Sequence, residues 1–414
     1  MLDDRLNTVL PELMRREKID MWILISREYN EDPVLKTMLP ANWLSARRRT
    51  ILVLYDNGQP LSGSKSPIER LAVARYNVDS LFQKAWDKEQ QPSQWQSLVD
   101  LIKQKNPHKI ALNKSAQVAL ADGLTATEYE ELSAALGEEL RGKIISAEPL
   151  AVGWLETRSA LEMSMYPDIV KLSHDIVAET LSAKVVIPNV STTEDVVWWL
   201  REKVAELKLQ TWFHPTVSIQ RANAEQFDQV SAFSRRQQDN TILPGDLLHL
   251  DFGISYLRLN TDQQQHAYVL KAGENDAPSF LKEALAKANR LQDIFMANFA
   301  IGRTGNEVLK MSREQAIAEG IKPSIYTHPI GFHGHAAGTT LGMWDSQGGV
   351  PGSGDYPLHA NTAYSIELNA ASFIPEWGKE IRIMLEEEAF LDERQVSFMD
   401  GRQTVLHLIA SEKW

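Results

Sequence analysis

Short apolar runs alternate with amphipathic periods over the first 150 residues. Residues 4–18 repeat apolar positions at helical spacing, and 21–25 (MWILI) and 50–55 (TILVLY) are apolar runs of the buried-strand kind. Residues 92–105 again read as helix, 109–112 as strand, and 116–136 as helix with a break at Gly123. Alternation of this sort predicts a layered α/β unit over residues 1–150. It carries no glycine-rich phosphate loop and no cluster of Asp, Glu and His.

From Arg158 the pattern changes. Ser159 is placed to cap a long amphipathic helix, residues 160–184, interrupted at Pro167. Thr192-Thr193-Glu194-Asp195 opens another that runs to about Leu209. Strands follow over 212–219 and, after the turn signal Pro244-Gly245-Asp246, from Leu247 to Leu270. Helical patterns then return over 276–300 and 306–319, with strands from Ala363 and Lys379. Two helices followed by strands, given twice, predict an internal duplication about a pseudo-two-fold axis within a second domain, residues 157–414.

Composition narrows the partners. A net charge of −12 over 414 residues argues against a nucleic-acid or anionic-membrane surface, both of which need a basic footprint. No apolar run approaches a membrane span of about 20 residues. The N-terminal stretch is charged and amphipathic without an apolar signal core, so the expected location is the cytoplasm, with the periplasm as the alternative if a signal peptide has been removed. With no cysteine, any metal must be held by Asp, Glu and His.

The chain's chemistry gathers around HLDFGISYLRLNTDQQQH, residues 249–266. Asp251 and Asp262 stand eleven residues apart, separated by a mostly apolar run that Gly253 interrupts. A strand, a tight connection and a second strand return Asp262 to the neighbourhood of Asp251. Two carboxylates brought together between apolar walls repel and lose hydration, so they need a cation or a shared proton. Further ligand types follow: Glu367 in an apolar strand pattern, Glu386 to Glu388 in another, and His328, His333 and His335 within THPIGFHGHAAG. Singly, each has a plain reading as turn, solvated edge or loop. In the order Asp, Asp, His, Glu, Glu, on strand-like segments, the plain reading fails.

That series resembles the pita-bread metallopeptidases: methionine aminopeptidase, prolidase and aminopeptidase P, with creatinase as a metal-free relative. Asp251 and Asp262 match in spacing and local sequence. His328 and His335 stand at the spacing of the family's paired histidines, Glu367 matches in SIEL, and Glu386 matches best for the last ligand, with Glu387 one residue out of register. The preceding domain resembles the N-terminal domain of creatinase, prolidase and aminopeptidase P. The resemblance implies a metal set of Asp251, Asp262, His328, Glu367 and Glu386, with Glu367 also the proton carrier and His335 the catalytic hydrogen-bond donor. It further implies two divalent ions, Mn²⁺ foremost with Zn²⁺, Co²⁺ or Fe²⁺ as alternatives, a small peptide substrate cut at Xaa-Pro bonds, and a homodimer. The family usually has a histidine about five residues after an Asn-Ala pair, where Asp228 follows Asn223-Ala224. The usual Arg three residues after the second Asp is Gln265, Thr327 stands where a glycine usually precedes the histidine ligand, Ala336 stands for a frequent Glu, and Arg382 precedes Glu386 by four residues instead of two. These departures lie in the substrate-handling surroundings. They keep open a different hydrolase or lyase reaction on a small zwitterion in the same site, while a non-catalytic scaffold is disfavoured by the persistence of all five ligand candidates.

Overall fold

The computed structural model describes residues 1–60, 66–222 and 240–410. The chain divides into two compact units, Met1–Glu162 and Met163–Trp414.

The first unit runs α1 (Leu2–Arg16), β1 (Met21–Arg27), α2 (Pro33–Thr37), β2 (Arg49–Asp56), β3 (Ile68–Ala72), β4 (Gln83–Lys84), α3 (Gln94–Lys105), β5 (Ile110–Leu112), α4 (Ala126–Arg141), β6 (Ile144–Ser146) and α5 (Glu148–Glu156). Its sheet has the order β4-β3-β2-β1-β5-β6. Strand β1 pairs antiparallel with β2 and parallel with β5. The apolar runs seen in the sequence are the two central strands, and Ile23, Ile25, Ile51 and Val53 sit in a core with Leu98, Ile102 and Leu132 of the covering helices. The stretch 116–136 breaks around Gly123, as expected. A 3₁₀ turn at Ala119–Ala121 precedes Gly123, and α4 starts afresh with Thr125 as its cap.

After the short α6 (Ala160–Met163), the second unit runs α7 (Tyr166–Thr180), α8 (Thr193–Glu206), β7 (Thr216–Gln220), β8 (Leu247–Phe252), β9 (Ser255–Tyr256), β10 (Leu259–Asn260) and β11 (Gln263–Val269). It continues with α9 (Ser279–Ala297), α10 (Gly305–Ala318), β12 (Lys322–Ile325), β13 (His328–Pro329), β14 (Thr362–Ser365), β15 (Leu368–Ile374), β16 (Lys379–Leu385), β17 (Glu388–Leu391), β18 (Val396–Phe398) and β19 (His407–Ile409). Pro167 lies in the first turn of α7, where its missing N–H is no loss, so the break in the helical pattern falls just before it. Thr192 and Asp195 form the reciprocal cap of α8.

Three sheets have the orders β19-β11-β8-β7, β12-β15-β16 and β13-β14-β17-β18, and β9-β10 is a separate hairpin. A helix pair followed by antiparallel strands occurs twice along this unit, first as α7, α8, β7, β8 and β11, then as α9, α10, β12, β15 and β16. Helix α9 buries Leu281, Leu285, Ala288, Leu291 and Phe295 at helical spacing into a core shared with Leu368, Ile383 and Leu385. No helix among the described residues is long and apolar enough to cross a membrane.

Candidate metal centre

Strand pairing brings the two aspartates together. Asp251 is the next-to-last residue of β8, opposite Gln264 of the antiparallel β11, and Asp262 lies immediately before β11. Gly253 makes the approach feasible: a Cβ there would lie 2.0 Å from the carbonyl oxygen of Thr261. The remaining carboxylates arrive at strand ends, Glu367 between β14 and β15, and Glu386 between β16 and β17. His328 comes from β13, opposite Ser365 of β14.

Ligand-type atoms of three overlapping sets lie within 4.8 Å of one another: Asp251, Asp262 and Glu386; His328, Glu367 and Glu386; and Asp262, His328 and His335. The five metal-ligand candidates and His335 therefore meet in one place. His333 and Glu387 belong to none of these sets. Instead Glu387, fully buried, pairs with His174 at 2.5 Å and accepts from Gln265 at 2.9 Å. Glu386 to Glu388 are thus buried, not a solvated edge. Asn223, Ala224 and Asp228 lie outside the described residues.

His328 Nδ1 is 3.0 Å from the carbonyl oxygen of Pro329, which assigns the proton to Nδ1 and leaves Nε2 an acceptor. That Nε2 is buried without a hydrogen-bond partner among the described residues and faces oxygens of Glu386 at 3.6 Å, Asp262 at 3.7 Å and Glu367 at 4.0 Å. Oδ1 of Asp251 is likewise buried and unpartnered. Burial and then the charge of Glu386 push the carboxyls of Asp251, Asp262 and Glu367 well above their ordinary range. Glu386 is the exception. Burial pushes it up as well, but its neighbours, among them the donors Ser365 and Gln264, outweigh that and hold it down. Four carboxylates cannot all ionise here unaided. An orphaned imidazole nitrogen and an orphaned carboxylate oxygen aimed into the cluster are what a site for divalent cations with oxygen and imidazole ligands requires, so the residues present fit such ions.

Several contributors carried no sequence signal of ligand type. Gln264 donates to both Glu367 and Glu386, and Ser365 Oγ donates to Glu386 at 2.6 Å. The Tyr326 phenol is pushed up by burial and by the charge of Glu367. Trp212 stands 5.1 Å from the His335 ring, which itself stands 4.6 Å from that of His328. Gly334 lets that tryptophan in, since a Cβ there would come within 2.3 Å of its ring. A cavity of about 380 Å³ opens beside Trp212, with Asn260, Phe332 and Tyr256 among its walls.

Solved structures share this architecture. An X-Pro aminopeptidase from Thermotoga maritima superposes with a TM-score of 0.66 at 16% identity, covering 96% of this chain and 99% of its own. An Xaa-Pro dipeptidase from Bacillus anthracis gives 0.60 at 16% identity, with 98% and 99% covered. The prolidase from Pyrococcus furiosus gives 0.55 at 13% identity, with 95% and 100% covered. At such identities the likeness is one of fold. No curated protein matches at the level of sequence. The sequence profile of metallopeptidase family M24 matches residues 168–387, the span that holds the five carboxylate and histidine ligand candidates. The chain belongs to metallopeptidase family M24.

Proposed function

We propose that this protein is a dinuclear metal-dependent peptidase that hydrolyses Xaa-Pro bonds of short peptides, as an aminopeptidase or a dipeptidase. The observation that carries the reading is the convergence of Asp251, Asp262, His328, Glu367 and Glu386 with Nε2 of His328 and Oδ1 of Asp251 left unpartnered. Divalent ions held there, Mn²⁺ foremost, would supply Lewis acidity toward the scissile carbonyl and acidify water.

The chain's own groups do the rest. Glu367 takes a proton from the attacking water and passes it to the departing nitrogen. His335, exposed at the margin of the cluster, hydrogen-bonds the carbonyl oxygen as it gains negative charge. Trp212 and the loop 333–344 offer an apolar wall. Proline suits such a wall, because its amide nitrogen carries no proton that would be left unpaired there. The cavity beside Trp212 has room for a flanking residue of the peptide. The likeness to X-Pro aminopeptidase and dipeptidase structures over nearly the whole chain supports the same choice. A homodimer belongs to this reading, and light scattering that gives a strict monomer at micromolar concentration counts against that part of it.

The test is a panel of Xaa-Pro dipeptides and tripeptides with the protein loaded with Mn²⁺ or Zn²⁺. Cleavage of dipeptides alone marks a dipeptidase, and release of the first residue from tripeptides marks an aminopeptidase. A panel left intact by metal-loaded protein removes the Xaa-Pro assignment and points to hydrolysis or elimination on another small zwitterion.

A further inference from the structure

We infer that Gln264 is a positioning residue that aims Glu367 and Glu386 at the metal site, and that His249 locks it in the orientation needed. The inference rests on the metal-site reading above and goes beyond it.

Gln264 lies in β11, two residues after Asp262, and is 4% exposed. Its neighbours turn elsewhere: Gln263 donates to Glu388 and Gln265 to Glu387. The Gln264 amide has two protons, and both have acceptors. Nε2 is 2.5 Å from Oε1 of Glu367 and 2.6 Å from Oε2 of Glu386. The backbone repeats the pairing. Gln264 N–H donates to the Glu386 carbonyl at 3.0 Å, and Glu386 N–H returns a bond at 3.2 Å.

Each glutamate therefore has one oxygen held by Gln264 and the other facing His328, Glu386 Oε1 at 3.6 Å and Glu367 Oε2 at 4.0 Å. The clamp is neutral, so it orients two carboxylates without cancelling the charge a cation needs. A lysine in its place would supply donors and compete with the metal.

An amide can flip, and a flipped Gln264 would aim its carbonyl oxygen at both carboxylates. His249, two residues before Asp251 and 7% exposed, prevents this. Its Nε2 is 2.9 Å from Gln264 Oε1, an acceptor only, so Nε2 carries the proton. Its Nδ1 faces the Ser218 hydroxyl at 3.4 Å, which donates to it. With Nε2 donating to Gln264 and Nδ1 accepting from Ser218, the ring holds one proton and one orientation. Ser218, His249 and Gln264 form a line of hydrogen bonds that ends on the two glutamates.

The experiment is calorimetric titration of metal-stripped protein with Mn²⁺, joined to electron paramagnetic resonance of the bound ion at saturation. Removing a donor that orients a metal ligand typically costs 10–100-fold in affinity, so Gln264→Met is expected to bind Mn²⁺ roughly tenfold or more weakly and to change the spectrum. Gln264→Asn keeps the amide but falls one methylene short, and is expected to bind as weakly, which covers the case of a misfolded Met variant. His249→Phe should lose affinity too, and the double variant no more than Gln264→Met alone, because His249 acts through Gln264. Wild-type affinity in Gln264→Met and Gln264→Asn, an unchanged spectrum, or additive losses in the double variant overturns the inference. Wild-type protein that binds no Mn²⁺ overturns the metal-site reading itself, and this inference with it.

Discussion

Nε2 of His328 lies 3.6 Å from Oε1 of Glu386, buried and without a hydrogen-bond partner among the described residues. This spacing is too long for a hydrogen bond and leaves room for an ion to join the two. Without an ion, the cluster holds carboxylates that resist sharing one small space. Metal should therefore stabilise the fold. A ligand at 100 times its Kd contributes about 2.7 kcal/mol, which for a unit of this size is a rise in Tm of roughly 5–10 °C. Thermal melts of metal-stripped protein with and without Mn²⁺ check this, and Asp262→Asn should erase most of the rise.

His335 stands against Trp212 and His328, at the exposed side of the cluster. If it supports the developing oxyanion, His335→Ala should lower kcat by roughly 10²–10³ and change KM much less. Steady-state kinetics on the best Xaa-Pro substrate separate the two parameters. A rise confined to KM would make His335 a substrate contact only.

His174 sits between two carboxylates, 2.5 Å from Glu387 and 2.8 Å from Asp400. Burial opposes its protonation, but these partners outweigh burial and raise its pKa to about 9. The native state therefore binds this proton more tightly than the unfolded chain, whose histidine titrates near 6.5. The stabilisation is full below pH 6.5 and is lost as pH rises through 9. The amount at stake is on the order of 3 kcal/mol. Melting curves from pH 6 to 10 should show that decline in the wild type, and His174→Gln should flatten it.

Glu156, at the end of α5 in the first unit, gives a fall in stability with pH that lies in a lower window. Both of its oxygens are buried without a hydrogen-bond partner among the described residues. Burial pushes its pKa up to about 8, against the opposing charges of Arg16 and Arg158. Here too the native state holds the proton more tightly, so stability falls between pH 4.5 and 8 as the unfolded chain ionises first. Glu156→Gln removes that ionisation. At pH 8 the variant should melt several degrees above the wild type, with the difference gone at pH 4. Equal melting at pH 8 would show that the carboxyl finds a partner in solution.

The elements most legible in the sequence were those with an apolar code. Runs such as MWILI and TILVLY became β1 and β2, and LLHLDF became β8, because a strand buried on both faces is written in apolar residues. The ligand-type residues were legible for a different reason: carboxylates in apolar strands need a partner, and Asp251, Asp262, Glu367 and Glu386 find one another. The glutamines were not legible. Gln263, Gln264 and Gln265 are all buried in β11, and no periodicity marks a buried polar strand. A signal was present in the matched runs QQQ and EEE, which pair side chain to side chain as Gln263–Glu388, Gln264–Glu386 and Gln265–Glu387. Only the fold reveals that pairing, because more than 120 residues separate its members. The breaks expected at Pro167 and Gly123 are present, but the helix extents differ: the first helix ends at Thr180, and only a 3₁₀ turn stands ahead of Gly123, where local turn geometry outweighs the apolar period.

The central claim is that this carboxylate and histidine cluster holds metal and uses it to cleave peptide bonds before proline. Release of the first residue from a panel of Xaa-Pro dipeptides and tripeptides tests it most directly, measured for Mn²⁺-loaded wild type, the same protein stripped with chelator, and Asp262→Asn. The expected result is release by the loaded wild type that chelator removes, Mn²⁺ restores and Asp262→Asn abolishes. Loaded wild type that has bound Mn²⁺ and cleaves no member of the panel, or an Asp262→Asn variant as active as the wild type, contradicts the account.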